Sequence, residues 1–397
     1  MTNLIRRQLP NMVQKDSKTL ASPYQKTPRI ERNEDGTWHI RGYAEAKELL
    51  KEDLLQDGFQ ADSVRRSGLD PVLYQHGEAH RKQRAAIAKY FSPATVSQKH
   101  LPMLERVADE TIAELLKGKR MDLKTLSRRM AAVVTMEVVG LDFTEGIVQR
   151  LDAMLHTPVE LQKNPIARLL TFIRGQLLRI RFWLTDVRPA IARRKREPQD
   201  DVVSYMLSKG SSEIAILAEC IVYGAAGMAT TQEFICVVLM HALENPSIRA
   251  ALTSEDVNVR YNALHEILRL EPVIGKIKRK AIEPVSVSSN GETHHIPAEA
   301  KIEFHVYHVN ADEQAVGTEP ERLNPHRSME KGTYRSAISF GSGPHRCAGE
   351  HLALAETDVF IRKLLALDGL RVTRQPDISH NKTVEGYEIS NYMVELS

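Results

Sequence analysis

The chain has 397 residues, 42% of them apolar and 26% charged, with a formal net charge of +3. That is ordinary usage for a folded protein with a sizeable core, and so weak a charge excess speaks against nucleic acid as a partner. The N-terminus, MTNLIRRQLPNMVQKDS, holds no apolar stretch of signal-peptide length, and no run of about 18 apolar residues announces a membrane span. A cytoplasmic protein without membrane contact is therefore expected. Of the three cysteines, Cys220 and Cys236 share one apolar helix and read as small buried hydrophobes. An odd count in a reducing compartment predicts no disulfide.

In chain order, residues 1–30 read as a loosely ordered extension of a single domain spanning 1–397. Helical spacing of apolar residues then predicts helices over Ala44 to Leu50, Glu78 to Tyr90, Leu101 to Leu116 and Leu123 to Val139. A long arginine-rich helix follows over Leu169 to Arg194, then a short one capped by Asp200 or Asp201. Ser212 to Leu243 is the most apolar helix, and Asn258 to Leu270 is stopped by Pro272. Strand-forming segments come late, at Val285 to Ser288 and Lys301 to His308. A loop-rich stretch, a helix from Gly349 to Leu367 and a hairpin near Gly386-Tyr387 complete the chain. The fold class is mainly α with a small β portion.

The most informative segment is Phe340-Gly341-Ser342-Gly343-Pro344-His345-Arg346-Cys347-Ala348-Gly349. Its glycines and proline force a tight, irregular backbone just before a helix. A thiol placed there meets backbone N–H groups and the positive helix end, and both favour the metal-binding thiolate. A zinc site from His345, Cys347 and His351 competes as a reading, but it lacks a fourth ligand and paired cysteines.

This loop resembles the haem-binding loop of the cytochrome P-450 family, with Phe340, Gly343, His345, Cys347 and Gly349 at its fixed positions. Leu352-Ala353 and Glu356 continue the match. The resemblance implies a cytochrome P-450-like single-domain fold and haem b held by the Cys347 thiolate, with Phe340 near the sulfur and His345 on a propionate. Thiolate ligation favours O–O cleavage.

Other motifs follow in the family's order. Glu266 and Arg269 lie three apart on one helix face and resemble the family's Glu-x-x-Arg. Pro320-Glu321-Arg322-Leu323 resembles its Pro-Glu-Arg-Phe element, which implies a charge network of Glu266, Arg269 and Arg322. His80 and Arg84, one turn apart, would by themselves be a solvated face; the resemblance makes them haem-propionate partners together with Arg279.

Ala225-Ala226-Gly227-Met228-Ala229-Thr230-Thr231 is either a small-residue packing seam or, by resemblance, the family's oxygen-binding kink. Thr230 then takes the place of the threonine that steers protons. Ala229 departs from the family, which carries an acid there; Glu233 and Gln232 are the nearest substitutes. The resemblance places Tyr223, Ala226, Gly227, Val273, Lys276 and Tyr387 around a substrate pocket, although a solvent-facing lysine is the favoured reading of Lys276.

The implied activity is a monooxygenase that puts one oxygen atom from O2 into a small organic molecule, by hydroxylation or epoxidation, in specialised metabolism. Electrons would come from a separate ferredoxin and ferredoxin reductase, docking on Arg81, Lys82, Lys89, Arg346 and Arg362. The alternatives are an atypical relative catalysing oxidative coupling or peroxide-dependent oxidation, and a haem protein that only binds ligands.

Overall fold

The structure is a computed structural model and describes residues 27–59, 61–155, 164–381 and 385–396. Two apolar cores organise it. The larger is helical and is built around α5 (Glu213–Glu244), which packs along α3 (Leu123–Val139). Around these lie α1 (Gly77–Phe91), α2 (Leu101–Gly118), α4 (Pro165–Phe182), α6 (Val257–Leu270) and α7 (Glu350–Leu365).

Local sequence sets the helix ends. The Ser212 hydroxyl accepts the Ala215 N–H at 3.2 Å and starts α5; Asp201 and Asp256 cap the helices after them in the same way. α5 is long and apolar enough to cross a membrane by length and composition. Here, however, its residues from Thr231 to Ala242 are all buried against protein.

Two glycines let α5 approach its neighbours. A Cβ on Gly227 would lie 2.5 Å from Thr135 Oγ1, and one on Gly224 would lie 2.9 Å from Leu151 Cδ1. The packing-seam reading of Ala225 to Thr231 is therefore supported at its one glycine, Gly227. At Gly227, which is half-buried, the side that a Cβ would occupy faces Thr135 of α3.

The smaller core belongs to a five-stranded sheet in the order β1-β2-β8-β5-β3, comprising β1 (Ile30–Arg32), β2 (Trp38–Ile40), β3 (Leu54–Gln56), β5 (Lys276–Ala281) and β8 (Lys301–His305). Only β2 and β8 run parallel. Strand alternation matters in β5, which reads Lys-Ile-Lys-Arg-Lys-Ala. Ile277, Arg279 and Ala281 point inward and the three lysines outward. A guanidinium is thereby carried into the interior.

Smaller pairings are β6 (Val285–Ser289) with β7 (Glu292–Ile296), and β10 (Asp377–Asn381) with β11 (Gly386–Ser390), the hairpin expected near Gly386. β12 (Met393–Leu396) lies between β4 (Arg120–Asp122) and β9 (Leu370–Arg374).

Several boundaries differ from the sequence reading. The strand expected over Lys301 to His308 ends at His305 and turns into a short helix. The expected Leu169 to Arg194 helix begins at Pro165, capped by Asn164, and changes pitch at Trp183–Val187. Of the expected 1–30 extension, residues 1–26 lie outside the described ones. Arg29 and Ile30 belong to the fold, since Arg29 pairs with Glu45 and Asp312, each at 2.7 Å.

Candidate active site

The Cys347 loop is held by its own backbone. Cys347 N–H donates to the Phe340 carbonyl at 2.8 Å, and Gly341 N–H to that of Ile338 at 2.7 Å. Gly343 has φ +66°, and a Cβ there would run into the Leu50 carbonyl, so only glycine fits. The thiol is accessible, unlike those of Cys220 and Cys236, which are buried in the helical core. Its surroundings are nonetheless deep in the protein. Burial pushes its pKa up, against the Gly349 N–H that bonds the sulfur and the nearby charges of Arg84 and Arg346. The Gly349 N–H and the two guanidiniums act in the direction expected of the loop, while burial opposes them. Binding of a metal to a thiol displaces its proton.

Beside this loop stand four basic side chains from three elements. The His80 ring of α1 stacks on that of His345, with centroids 4.0 Å apart. Arg84, one turn along α1, donates to the Arg346 carbonyl. Arg279 reaches in from β5 and donates to Gln56 Oε1, from its register partner on β3. Burial lowers the pKa of Arg279 to about 10, and that of His80 to about 4, helped by Arg84. His345 is lowered to about 3 by burial and then by Arg279, His80 and Arg84. Among the described residues, neither Arg84 nor Arg279 is paired with a carboxylate. A desolvated guanidinium without an anion is costly, so the cluster is built for an anionic group from outside the chain.

Behind the loop lies the charge network, and here one expected member is replaced. Glu266 accepts both Arg269 Nε and Nη2 at 2.8 Å, as expected. Arg322 is not their partner: it lies exposed and pairs with Glu319 at 3.1 Å. Arg327 completes the network instead, with Nε 3.1 Å from Glu266 Oε1. Its remaining four N–H groups donate to the carbonyls of Val316, Thr318, Glu319 and Arg322. The chain turns at Arg322 and sends in the guanidinium five residues later. Asn310, absent from the sequence reading, ties the network to the loop: it donates to the Arg269 carbonyl and Ser339 Oγ and accepts the Ile338 N–H.

Comparison with known proteins agrees with this geometry. The sequence profile described as "Cytochrome P450" matches residues 1–382. The chain belongs to the cytochrome P450 family. Pentalenic acid synthase of Streptomyces avermitilis is 26% identical to this P450 over 370 residues, covering 86% of this chain and 83% of that one. The biotin biosynthesis cytochrome P450 of Bacillus subtilis is 24% identical over 347 residues, covering 83% and 82%. Among solved structures, CalO2 superposes with a TM-score of 0.77 at 18% identity, covering 93% of each chain. P450BioI, solved with a fatty-acid-bearing acyl carrier protein, superposes with a TM-score of 0.75 at 20% identity, covering 93% and 95%.

The residues present fit the haem that the P450 family carries. Arg84 and Arg279, without carboxylate partners among the described residues, suit propionates, since guanidinium forks match carboxylates. A side chain at Gly349 would meet nothing within 4 Å, so the protein's own packing does not require glycine there and leaves open space beside the loop that a flat group could use. Zinc does not fit as well: among the described residues, the three-donor group that could hold a metal ion is His39, Glu303 and His305, on the sheet.

On the α5 side, Ala226 is exposed although α5 is otherwise a core helix, and Thr230 Oγ1 donates to its carbonyl at 2.8 Å. Tyr223 lies on the same side, stacked on Phe91 with centroids 6.0 Å apart, its hydroxyl buried without a partner. Val273 is buried in the helical core.

Three expected site residues are engaged elsewhere. Glu233 is buried, accepts the Ile389 N–H at 2.8 Å and lies 3.5 Å from Lys124 Nζ. Tyr387 is in the core and donates to the Glu271 carbonyl at 3.1 Å. Lys276 pairs with Glu303 at 3.2 Å. The sequence reading also missed Glu219, which accepts the Val72 N–H at 2.7 Å and Gln83 Nε2 at 2.5 Å. Burial raises Glu219 to about 7; an acid inside the most apolar helix was its signal.

Glu356, one residue of the family match, is buried in α7, and burial alone raises its pKa to about 8. Protonated in the fold and ionised in the unfolded chain from about 4.5 upward, it favours folding fully below pH 4.5. That contribution is lost as pH rises through 8. Glu356→Gln is expected to flatten the decline in denaturant midpoint between those pH values; an unchanged slope would remove Glu356 as its cause.

Proposed function

We propose that Cys347 is the axial thiolate of a haem b, and that this P450 monooxygenase hydroxylates or epoxidises a small organic substrate of specialised metabolism with one oxygen atom from O2. The observation that carries this reading is the accessible Cys347 thiol beside Arg84 and Arg279, two guanidiniums that pair with no carboxylate among the described residues, next to the stacked rings of His80 and His345. Bound there, haem supplies oxygen activation on a thiolate-ligated iron. The chain supplies the rest. Arg84, Arg279, His80 and His345 would hold the propionates. The Phe340 carbonyl accepts the Cys347 N–H, and the Gly349 N–H that bonds the sulfur would moderate its charge. Ala226, exposed on α5, would leave room for the substrate.

Thr230 holds a proton at Oγ1 that is turned to the Ala226 carbonyl, so in this rotamer its lone pairs accept from water or a bound ligand. The missing acid at Ala229 makes Thr230 and ordered water the proton route, now that Glu233 is held by Ile389 and Lys124. Thr230→Ala is expected to leave haem content and reductant consumption in place while cutting oxygenated product per electron pair about tenfold, with peroxide released instead. Full coupling in that variant would remove Thr230 from the mechanism.

A second reading has support in the same place. With Ala229 lacking the acid and Glu233 engaged, proton delivery is thinner than in the family pattern, which favours a peroxide-driven or oxidative-coupling relative. Single-turnover product yield with O2 and electrons, set against peroxide alone, separates the two.

Separate donor proteins, a ferredoxin and its reductase, complete the proposal, in a cytoplasmic setting. The docking patch is smaller than the sequence suggested. Arg346 pairs with Glu350 at 2.7 Å, Arg362 with Glu105 at 3.3 Å and Lys89 with Asp200 at 3.7 Å. Arg81 and Lys82 stay exposed on α1 and are the cations to change.

A further inference from the structure

α4, continued through Trp183–Val187 and Arg188–Arg196, turns the wrong face outward for a helix that meets only water. Phe182 and Val187 are buried on its protein side, beside the half-buried Ala167, Thr171, Gly175 and Leu178. Its outer side carries Ile166, Leu170, Ile173, Leu177, Ile180 and Leu184, spaced alternately by four and three residues into one stripe. Leu169 and Phe172 widen it on one flank. These eight side chains are 45 to 70% exposed, and Ile214 across the groove is 65% exposed. Together they are nine of the twelve exposed large hydrophobics among the described residues. A patch of this size marks a contact surface.

The other flank is cationic. Arg174, Arg181 and Arg188 follow one another at seven-residue intervals, all exposed, and no acidic residue occurs between Pro165 and Thr185. Among the described residues, none of the three forms an ion pair. Next to the stripe lies a cavity of about 260 Å³, lined by Leu69, Gln176, Ile180, Trp183, Ile214 and Leu217 among others. Ile180 and Ile214 belong to both the patch and the cavity.

We propose that this face docks on an anionic lipid bilayer, with the stripe at the boundary of headgroups and acyl chains and the arginine row on lipid phosphates. An apolar helix face with a basic edge is the pattern of an interfacial helix. A second copy of this chain fits less well, because antiparallel pairing of two stripes would set arginine row against arginine row. A partner's acidic helix would want a narrow seam with charge along both edges, whereas this patch is broad and charged along one. The proposal departs from the expectation of no membrane contact; the stripe is too short and too arginine-rich to read as a span, and would lie flat. The docking surface stands whatever the chemistry. Only the use of the cavity as a way in for a lipid-dissolved apolar substrate rests on the monooxygenase reading.

The test is flotation of the haem-loaded full chain with vesicles of three parts phosphatidylcholine to one part phosphatidylglycerol, compared with phosphatidylcholine alone. Binding is expected on the anionic vesicles, falling at least about fivefold in ~0.5 M salt. Ile173→Glu with Leu177→Glu should abolish it, and Arg174→Glu with Arg181→Glu should lower it about tenfold. All variants should keep haem absorbance and thermal midpoint, because the changed side chains face outward. No flotation, undiminished flotation of the Ile173/Leu177 variant, or equal salt-independent binding to phosphatidylcholine alone overturns the proposal. So does a concentration-dependent dimer that Leu177→Glu dissolves in a protein that ignores vesicles. Because flotation needs no turnover, its failure is distinct from a failure of the monooxygenase reading.

Discussion

Cys347→Ala is expected to yield a folded protein that no longer shows the thiolate-type spectrum of its reduced carbon monoxide complex. Monooxygenation should fall by about three orders of magnitude or more, equivalent to at least about 4 kcal/mol of lost transition-state stabilisation. The fold should survive because the loop is closed by backbone bonds. Cys347 N–H to Phe340 and Gly341 N–H to Ile338 do not involve the thiol. The other two cysteines are the internal controls. Cys220 and Cys236 are buried, and burial pushes both thiols far above their usual range, so neither is poised to take a metal. Cys220→Ala and Cys236→Ala should keep the spectrum and cost about 1 kcal/mol of packing at most. A thiolate-type spectrum that survives in Cys347→Ala, or vanishes in Cys236→Ala, would move the ligand elsewhere.

What could be read from the sequence divides by range. The Cys347 loop was legible because its chemistry is local: a glycine-bent backbone, a thiol and a helix start within ten residues. The Glu266–Arg269 pair was legible for the same reason, as both sit on one turn of α6. His80 and Arg84 were legible as a pair, but their meeting with Arg279 depends on β5 pairing with β3, which no spacing within α1 reveals. What spacing could not reveal is direction and loop path. Ala226 and Gly227 are adjacent in sequence but about 100° apart around α5; one is exposed and the other meets Thr135. Glu233 sits one turn past Thr230, yet its carboxylate is held by the backbone of β11. Tyr387 lies on the expected hairpin but on its inward side. The net charge could not reveal the arginine row of α4, because acids elsewhere cancel it.

Arg327 is the sharpest of these misses, and it carries the second large expected effect. Arg327→Met should destabilise the protein by about 3–5 kcal/mol, whereas Arg322→Ala should change stability by no more than about 0.5 kcal/mol. The asymmetry follows from their surroundings. Arg322 is exposed and its bond to Glu319 spans three residues at the surface, where such pairs contribute little. Arg327 is buried, and all five of its N–H groups are used, one on Glu266 and four on carbonyls of the 316–322 turn. Methionine would fill much of the space but leave those acceptors without donors. The damage should also travel in one direction. Glu266 holds Arg269, Arg269 donates to the Asn310 carbonyl at 2.8 Å, and Asn310 grips Ile338 and Ser339 just before Phe340. Loosening that chain frees the loop that carries Cys347 before it unfolds α5. In a urea titration followed by haem absorbance and by far-ultraviolet circular dichroism, Arg327→Met should release haem at a lower midpoint than that of helix loss. Coincident midpoints in Arg327→Met, or a loss in Arg322→Ala equal to that in Arg327→Met, would mean that the network does not brace the loop.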